Sequence, residues 1–335
     1  MAKLKEEAYT FADAYIGSFV KNLMSMQDLM RIASARDLDA AESILQEFGY
    51  GEAKELHDGD VEAFIRREQN KLFDLIYGTL PERKELALYL FPYDYHNVKV
   101  CLKSEFMGTT PNDTYLVSTG DIDWMKLVAM VRDRNYMFMS SHMREAIMEA
   151  ADLFARGGDP QEIDIIMDRA CYRDMIEAAE ENGEEFIIGM VKLQIDLINM
   201  KTFVRLREMN KPWTFFQKVF LEGGNIQEQF FISGYEEPYG QLADKLEAYG
   251  LKTVMAEGGR ELNETGRFSL FEKLCDNALM AYNKKAKYGS FGIVPIAGYW
   301  YAKEMEIDNL RIILTGLLAG STPQQIGERL RETYV

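Results

Sequence analysis

Three stretches of the chain carry one polar signature: an acid, an asparagine three residues later, and a base two residues after that. The first is Asp94, Asn97 and Lys99, in "FPYDYHNVK". The second is Asp196, Asn199 and Lys201, in "DLINMK". The third is Glu306, Asn309 and Arg311, in "EIDNLR". The asparagines, at 97, 199 and 309, stand 102 and 110 residues apart. Such side chains are costly to bury and unnecessary for a plain amphipathic helix. Their recurrence points to folds in which one local arrangement is built three times.

The surroundings repeat as well. Eleven residues after each asparagine comes Gly108, Asn210 or Gly320, residue types that tolerate the left-handed conformation closing a helix. Pro111, Pro212 and Pro323 follow. Two copies then reach a matching turn, "TGDI" at 119–122 and "GGNI" at 223–226, whereas the third meets Val335 first. Upstream, residues 61–76, 163–178 and 268–283 each read as a helix at a similar distance from the motif. The expectation is three homologous helical-bundle domains over 1–120, 121–225 and 226–335. Solenoid repeats are shorter and more numerous. Three domains related by a threefold-like rotation would surround a central space.

Helical periodicity is the dominant local signal. Phe11, Tyr15, Phe19 and Leu23 fall on one helical stripe, and strand-like alternation is scarce. Three helix starts are expected, at "DPQE" (159–162), "TPQQ" (322–325) and "TPND" (110–113). Each places a capping side chain before a proline that loses no needed donor. The glycine pairs 157–158, 223–224 and 258–259 read as turns. The fold class is all-α.

Charge narrows the function. With 54 acidic against 38 basic side chains the net charge is −16, which disfavours nucleic acid and anionic lipid as direct partners. Cys101, Cys171 and Cys275 lie far apart, in no disulfide or zinc spacing. "MAKLKEEAYTFADAY" lacks the apolar stretch of a signal peptide. The longest nearly apolar run, "FGIVPIAGYWYA" at 291–302, is too short to span a bilayer. A soluble cytoplasmic protein without a transmembrane segment is expected.

On a helix, the acid and asparagine of each motif share a face. The base lies about 140° around from the acid. The acid and asparagine are expected to bond a neighbouring helix or loop end, with the base facing elsewhere. Two roles stay open: a buried clamp fixing how helices dock, or a polar lining that meets an inserted partner.

Enzyme chemistry finds little support. His96 is two residues from Asp94, and such a pair does not face itself on a helix. No GxSxG, HExxH or GxxxxGK pattern occurs, so no direct nucleotide binding is expected. Lys54, Tyr93 and Met139 stand three residues before His57, His96 and His142, so the Glu-x-x-His pairs of di-metal bundles are missing. No catalytic residue, cofactor or metal is expected. The acids Glu177, Glu180, Glu181, Glu184 and Glu185 read as a solvated helix face.

"PYDYHNVKVCLKSEF" and "YWYAKEMEIDNLRIILTGLLAGSTPQQIGERLRETYV" resemble the C subunit of the archaeal and bacterial V-type (A/V-type) rotary ATPases, the counterpart of the eukaryotic d subunit. The resemblance covers nearly the whole chain, with all three motifs in order. It implies a three-domain pseudo-threefold funnel. One end would sit on the membrane proteolipid ring and the other receive the central stalk of subunits D and F. It implies a non-catalytic rotor piece that couples ATP turnover to proton or sodium transport. Localisation would be the cytoplasmic face of the membrane, peripheral through the ring. The alternative is an unrelated three-domain helical scaffold binding a single soluble protein.

Overall fold

The computed structural model describes residues 2–157, 159–289 and 292–335, and these form helices and turns without a strand. Contacts divide the chain into two compact units, Met1–Glu82 with Pro238–Val335, and Arg83–Glu237. The first unit opens with α1 (Ala2–Val20), α2 (Met26–Ala33), α3 (Leu38–Glu47), α4 (Lys54–His57) and α5 (Val61–Thr79). The second holds α6 (Phe91–Phe106), α7 (Trp124–Arg132), α8 (Ser141–Ala155), α9 (Glu162–Asn182), α10 (Glu185–Glu208), α11 (Trp213–Val219) and α12 (Glu228–Ser233). The first resumes with α13 (Tyr239–Lys245), α14 (Lys252–Thr265), α15 (Ser269–Asn283), α16 (Ile293–Leu318) and α17 (Pro323–Arg329).

Two long helices organise the cores. In the first unit, α16 packs against α1, α2 and α5 and buries Ile296, Trp300, Ile307, Leu310 and Ile313. Trp300 meets Tyr77 of α5 edge-on, with ring centroids 5.5 Å apart. In the second unit, α10 buries Phe203, which contacts Phe216, Phe231 and Tyr235 at 5.7, 5.4 and 5.4 Å between centroids. Both helices are apolar on several faces, as helices covered from several sides must be. Each fully buried aromatic or aliphatic side chain contributes about 1.5–3 kcal/mol.

The three motif helices α6, α10 and α16 end alike. Gly108, Asn210 and Gly320 adopt positive φ of 66°, 53° and 69°. The following amide bonds the carbonyl five residues back in each case: Thr109 to Ser104, Lys211 to Leu206 and Ser321 to Gly316, all at 2.9 Å. These are Schellman closures, which satisfy carbonyls the helix leaves open.

Local expectations were met unevenly. Thr322 caps α17 with a full capping box to Gln325. Asp159 accepts from Gln161 N at 2.9 Å, but α9 begins only at Glu162. "TPND" starts no α-helix: a short 3-10 turn at Asp113–Tyr115 is capped by Asn112 instead. Its asparagine bonds the amide two residues on, and that local bond competes with helix initiation at Thr110.

The 258–259 glycine pair is not a turn either. It lies buried within α14, where a Cβ on Gly258 would strike Phe271 and one on Gly259 would strike Tyr239. Close approach of α15 and of Tyr239 on α13 selects glycine there. Gly158 of the 157–158 pair, and Phe291 of the apolar run, lie outside the described residues.

The aromatic stripe of α1 is not the face that is buried. Phe11 and Tyr15 are exposed, while Tyr9, Ala12 and Ile16 form the buried face. Equal periodicity on two faces cannot tell which one a neighbour covers.

Candidate functional site

The three asparagines make the same pair of bonds. Asn97 Nδ2 donates to Val117 O at 2.9 Å, and Val117 N donates back to Oδ1 at 2.8 Å. Asn199 does this with Leu221 at 2.8 and 2.9 Å. Asn309 does it with Arg331 at 3.2 and 2.8 Å. All three side chains are buried. A primary carboxamide carries an acceptor and donors side by side. It can therefore satisfy both the N–H and the C=O of one peptide segment that has left its helix.

The acids hold a second point of that segment. Asp94 accepts from Asp121 N at 3.0 Å and Ile122 N at 3.3 Å. Asp196 accepts from Asn225 N at 3.1 Å, Asn225 Nδ2 at 2.9 Å and Ile226 N at 2.9 Å. Gly120 and Gly224 make these approaches possible, because a Cβ on either would land on the carboxylate Oδ1. The matching turns in the sequence are thus the segments that the acids grip.

The third acid is closed differently. Glu306 accepts Met24 N at 2.5 Å across 282 residues of sequence. It also accepts the Tyr50 hydroxyl and Lys303 Nζ, both at 2.6 Å. Burial and the adjacent Glu306 push the Tyr50 phenol well up, which keeps it a donor. Two residues before the gripped amide the third copy has Asn22, where the other copies have Gly120 and Gly224. The extra methylene of glutamate lets the carboxylate reach an amide on a backbone that is not stripped to glycine. Its presence in place of aspartate therefore has a structural counterpart.

The bases turn outward from these clamps. Lys99 pairs with Asp168 of α9 at 2.8 Å. Arg311 pairs with Glu62 of α5 at 3.2 Å and with Asp308 at 2.8 Å. Lys201 is half-buried on α10.

Sequence reasoning did not find Met24, Tyr50 or Lys303. The available signal was the longer acid in the copy that has no glycine turn following it.

Burial raises Asp94 to about 7 and also raises Asp196, against the lowering effect of the turn amides. Between the unfolded value of 3.8 and the folded value, the native state holds a proton that the unfolded chain has released. Stability from this group therefore falls as pH rises from about 4 to about 7, and is flat beyond. Asp94→Asn should lack that slope. Melting temperatures of the two proteins across this range check it, and parallel curves would refute it.

The histidines are engaged elsewhere. His96 Nε2 lies 2.9 Å from Tyr115 O. His57 bridges Asp39 at 2.8 Å and Glu42 at 3.1 Å. The bond to Asp39 and the charge of Glu42 raise its pKa, favouring an imidazolium rather than a metal ligand. His142 pairs with Glu177 at 3.0 Å beside Asp174, and Asp174 accepts the Tyr95 hydroxyl at 2.6 Å. Cys101, Cys171 and Cys275 are buried. No described helix is long and apolar enough to cross a membrane.

An all-α protein built on three related polar clamps, alike at the asparagines and different at the third acid, is the class these features define. The sequence model of the ATP synthase (C/AC39) subunit family matches residues 12–329. The chain belongs to that family. It is similar to the C subunit of the V-type sodium ATPase of Enterococcus hirae, 25% identical over 321 residues, covering 93% of this chain and 94% of the relative. It is similar also to the C subunit of the A-type ATP synthase of Methanocaldococcus jannaschii, 23% identical over 351 residues, covering 95% and 85%. A third relative, the C subunit of the A-type ATP synthase of Halobacterium salinarum, is 24% identical over 287 residues, covering 81% and 78%.

Proposed function

We propose that this chain is a non-catalytic central-rotor subunit of a V/A-type rotary ATPase or ATP synthase. It links a central stalk of subunits D and F to the membrane proteolipid ring, and so couples ATP turnover to proton or sodium transport. The family match over residues 12–329 carries this reading. The −16 charge and the lack of a described membrane-crossing helix fit attachment at the cytoplasmic face through a protein ring rather than through lipid. The test is ion transport set against ATP hydrolysis in membranes lacking the chain.

Within this reading the three copies act as three domains, 1–120, 121–225 and 226–335, arranged as a pseudo-threefold funnel. The boundaries 120/121 and 225/226 fall in the gripped turns. The acids and asparagines serve as clamps that fix each motif helix to the segment after it. The supporting observation is that each asparagine is buried and spends its acceptor and a donor on one peptide segment.

Asn199→Ala then strips two bonds and leaves the Leu221 N–H and C=O buried without them, a cost of about 2–4 kcal/mol. The melting temperature of the isolated protein should fall. An unchanged melting temperature together with lost stalk binding would make the motif a socket lining instead.

A further inference from the structure

Each clamped turn leads into the helix that opens the next copy. Ile122 N, held by Asp94, stands two residues before α7, and Ile226 N, held by Asp196, stands two residues before α12. Met24 N, held by Glu306, stands two residues before α2 in the same way. The residue between is the N-cap of its helix in every case: Asp123, Gln227 and Ser25. The helix that follows the third clamp is therefore α2, near the opposite end of the chain.

We infer that the three copies form a closed cycle of joints, in which the third joint, between residues 331–334 and 22–24, does without a peptide link what 117–122 and 221–226 do with one. This rests on the three-domain reading above. Register supports it. In the first two copies the residue held by the asparagine lies five before the amide held by the acid, Val117 before Ile122 and Leu221 before Ile226. Arg331, held by Asn309, begins the third such segment. Residues 332–334 line one small cavity with Leu23 and Met24. The two halves thus meet where an unbroken segment would run. Beside them α17 packs on α2, as α11 packs on α12. A Cβ on Gly327 of α17 would lie 2.8 Å from Met30 Sδ of α2.

The third acid carries the extra grip that such a joint needs. Closing a loop costs more entropy as the loop lengthens. Glu306 and Met24 are 282 residues apart, against 28 for Asp94 and Ile122 and 30 for Asp196 and Ile226. Asp94 and Asp196 each hold one turn. Glu306 holds two separate points of the first copy, Met24 N and the Tyr50 hydroxyl. Lys303 bonds both Glu306 and that hydroxyl, at 2.6 and 2.9 Å. Upstream, α1 packs on α16 and α5 and buries Tyr9, Ala12 and Ile16, so the incoming half is anchored before it reaches the clamp.

Hydrogen exchange on the isolated full chain, resolved at the three turn amides, tests this. Met24 should be protected to within about threefold of Ile122 and Ile226, as one of three matched joints. A variant ending at Arg331 keeps the groups that bond Met24 and Asn309 but lacks the rest of the outgoing half. It should expose Met24 to exchange at least about tenfold faster, with Ile122, Ile226 and the amides of α5 unchanged. Protection of Met24 more than about tenfold below that of Ile122 and Ile226 in the unaltered protein would overturn the closed cycle, whether or not the variant folds. So would an unchanged Met24 in the shortened chain. Both readings need only this chain, so they stand or fall separately from the rotor role, which ion uptake tests.

Discussion

Gly224→Ala is expected to destabilise the protein by about 3–5 kcal/mol, the range seen when a buried charge loses its partners. The effect does not come from backbone conformation, because only Gly223 of the pair has positive φ, at 97°. It comes from space. The added Cβ would land on Asp196 Oδ1 and lie 3.1 Å from both Asp196 Cγ and Ile195 Cγ2. Ile195 and Asp196 are buried on α10, the helix that carries the aromatic cluster of its unit. Neither can yield cheaply. The turn must lift instead, and the amides of Asn225 and Ile226 then leave the carboxylate.

Unfolding by urea, followed by far-ultraviolet circular dichroism, measures the loss. A double-mutant cycle identifies its cause. In an Asp196→Ala background the group that Gly224→Ala collides with is gone, so the added methyl should cost less than half as much. Equal costs in the two backgrounds would mean that the glycine serves something other than the clamp. Gly120→Ala should behave in the same way against Asp94, where the Cβ would also lie 3.2 Å from Ile122 O.

How much of this arrangement the sequence discloses depends on the range of each contact. The helix class and the closures at Gly108, Asn210 and Gly320 are written in local chemistry, since each needs only its own few residues. The repeat of Asp94/Asn97, Asp196/Asn199 and Glu306/Asn309 is equally visible. It marks positions whose burial has to be matched by hydrogen bonds. The partners of the first two copies lie 20 to 30 residues downstream and carry a visible trace, the glycines of "TGDI" and "GGNI".

The third copy is different. Its acid meets an amide 282 residues away and a phenol 256 residues away, and no periodicity connects them. The Gly258–Gly259 pair misleads for a related reason. Glycine marks turns and close helix contacts alike, and only the positions of Tyr239 and Phe271 decide between them. Likewise, the stripe through Phe11 and Tyr15 is truly helical, but the face that packs is the one through Tyr9, Ala12 and Ile16.

The largest functional effect is expected from removing the chain altogether. A catalytic subunit would take ATP hydrolysis with it. A coupling piece between stalk and ring takes only the connection. The asparagines of the three motifs, and Asp94 and Asp196, are spent on backbone amides and carbonyls. His57 and His142 each lie within hydrogen-bond distance of an acid, His57 of Glu42 and His142 of Glu177.

Membranes from cells lacking the chain, compared with membranes to which the purified chain is restored, test the central claim most directly. ATP hydrolysis by the soluble head and ATP-driven ion uptake are measured on the same vesicles. Hydrolysis should persist without the chain, ion uptake should fall to background, and restoring the chain should recover uptake. Undiminished uptake in its absence would contradict the account and leave a helical scaffold serving a single soluble partner as the reading to pursue.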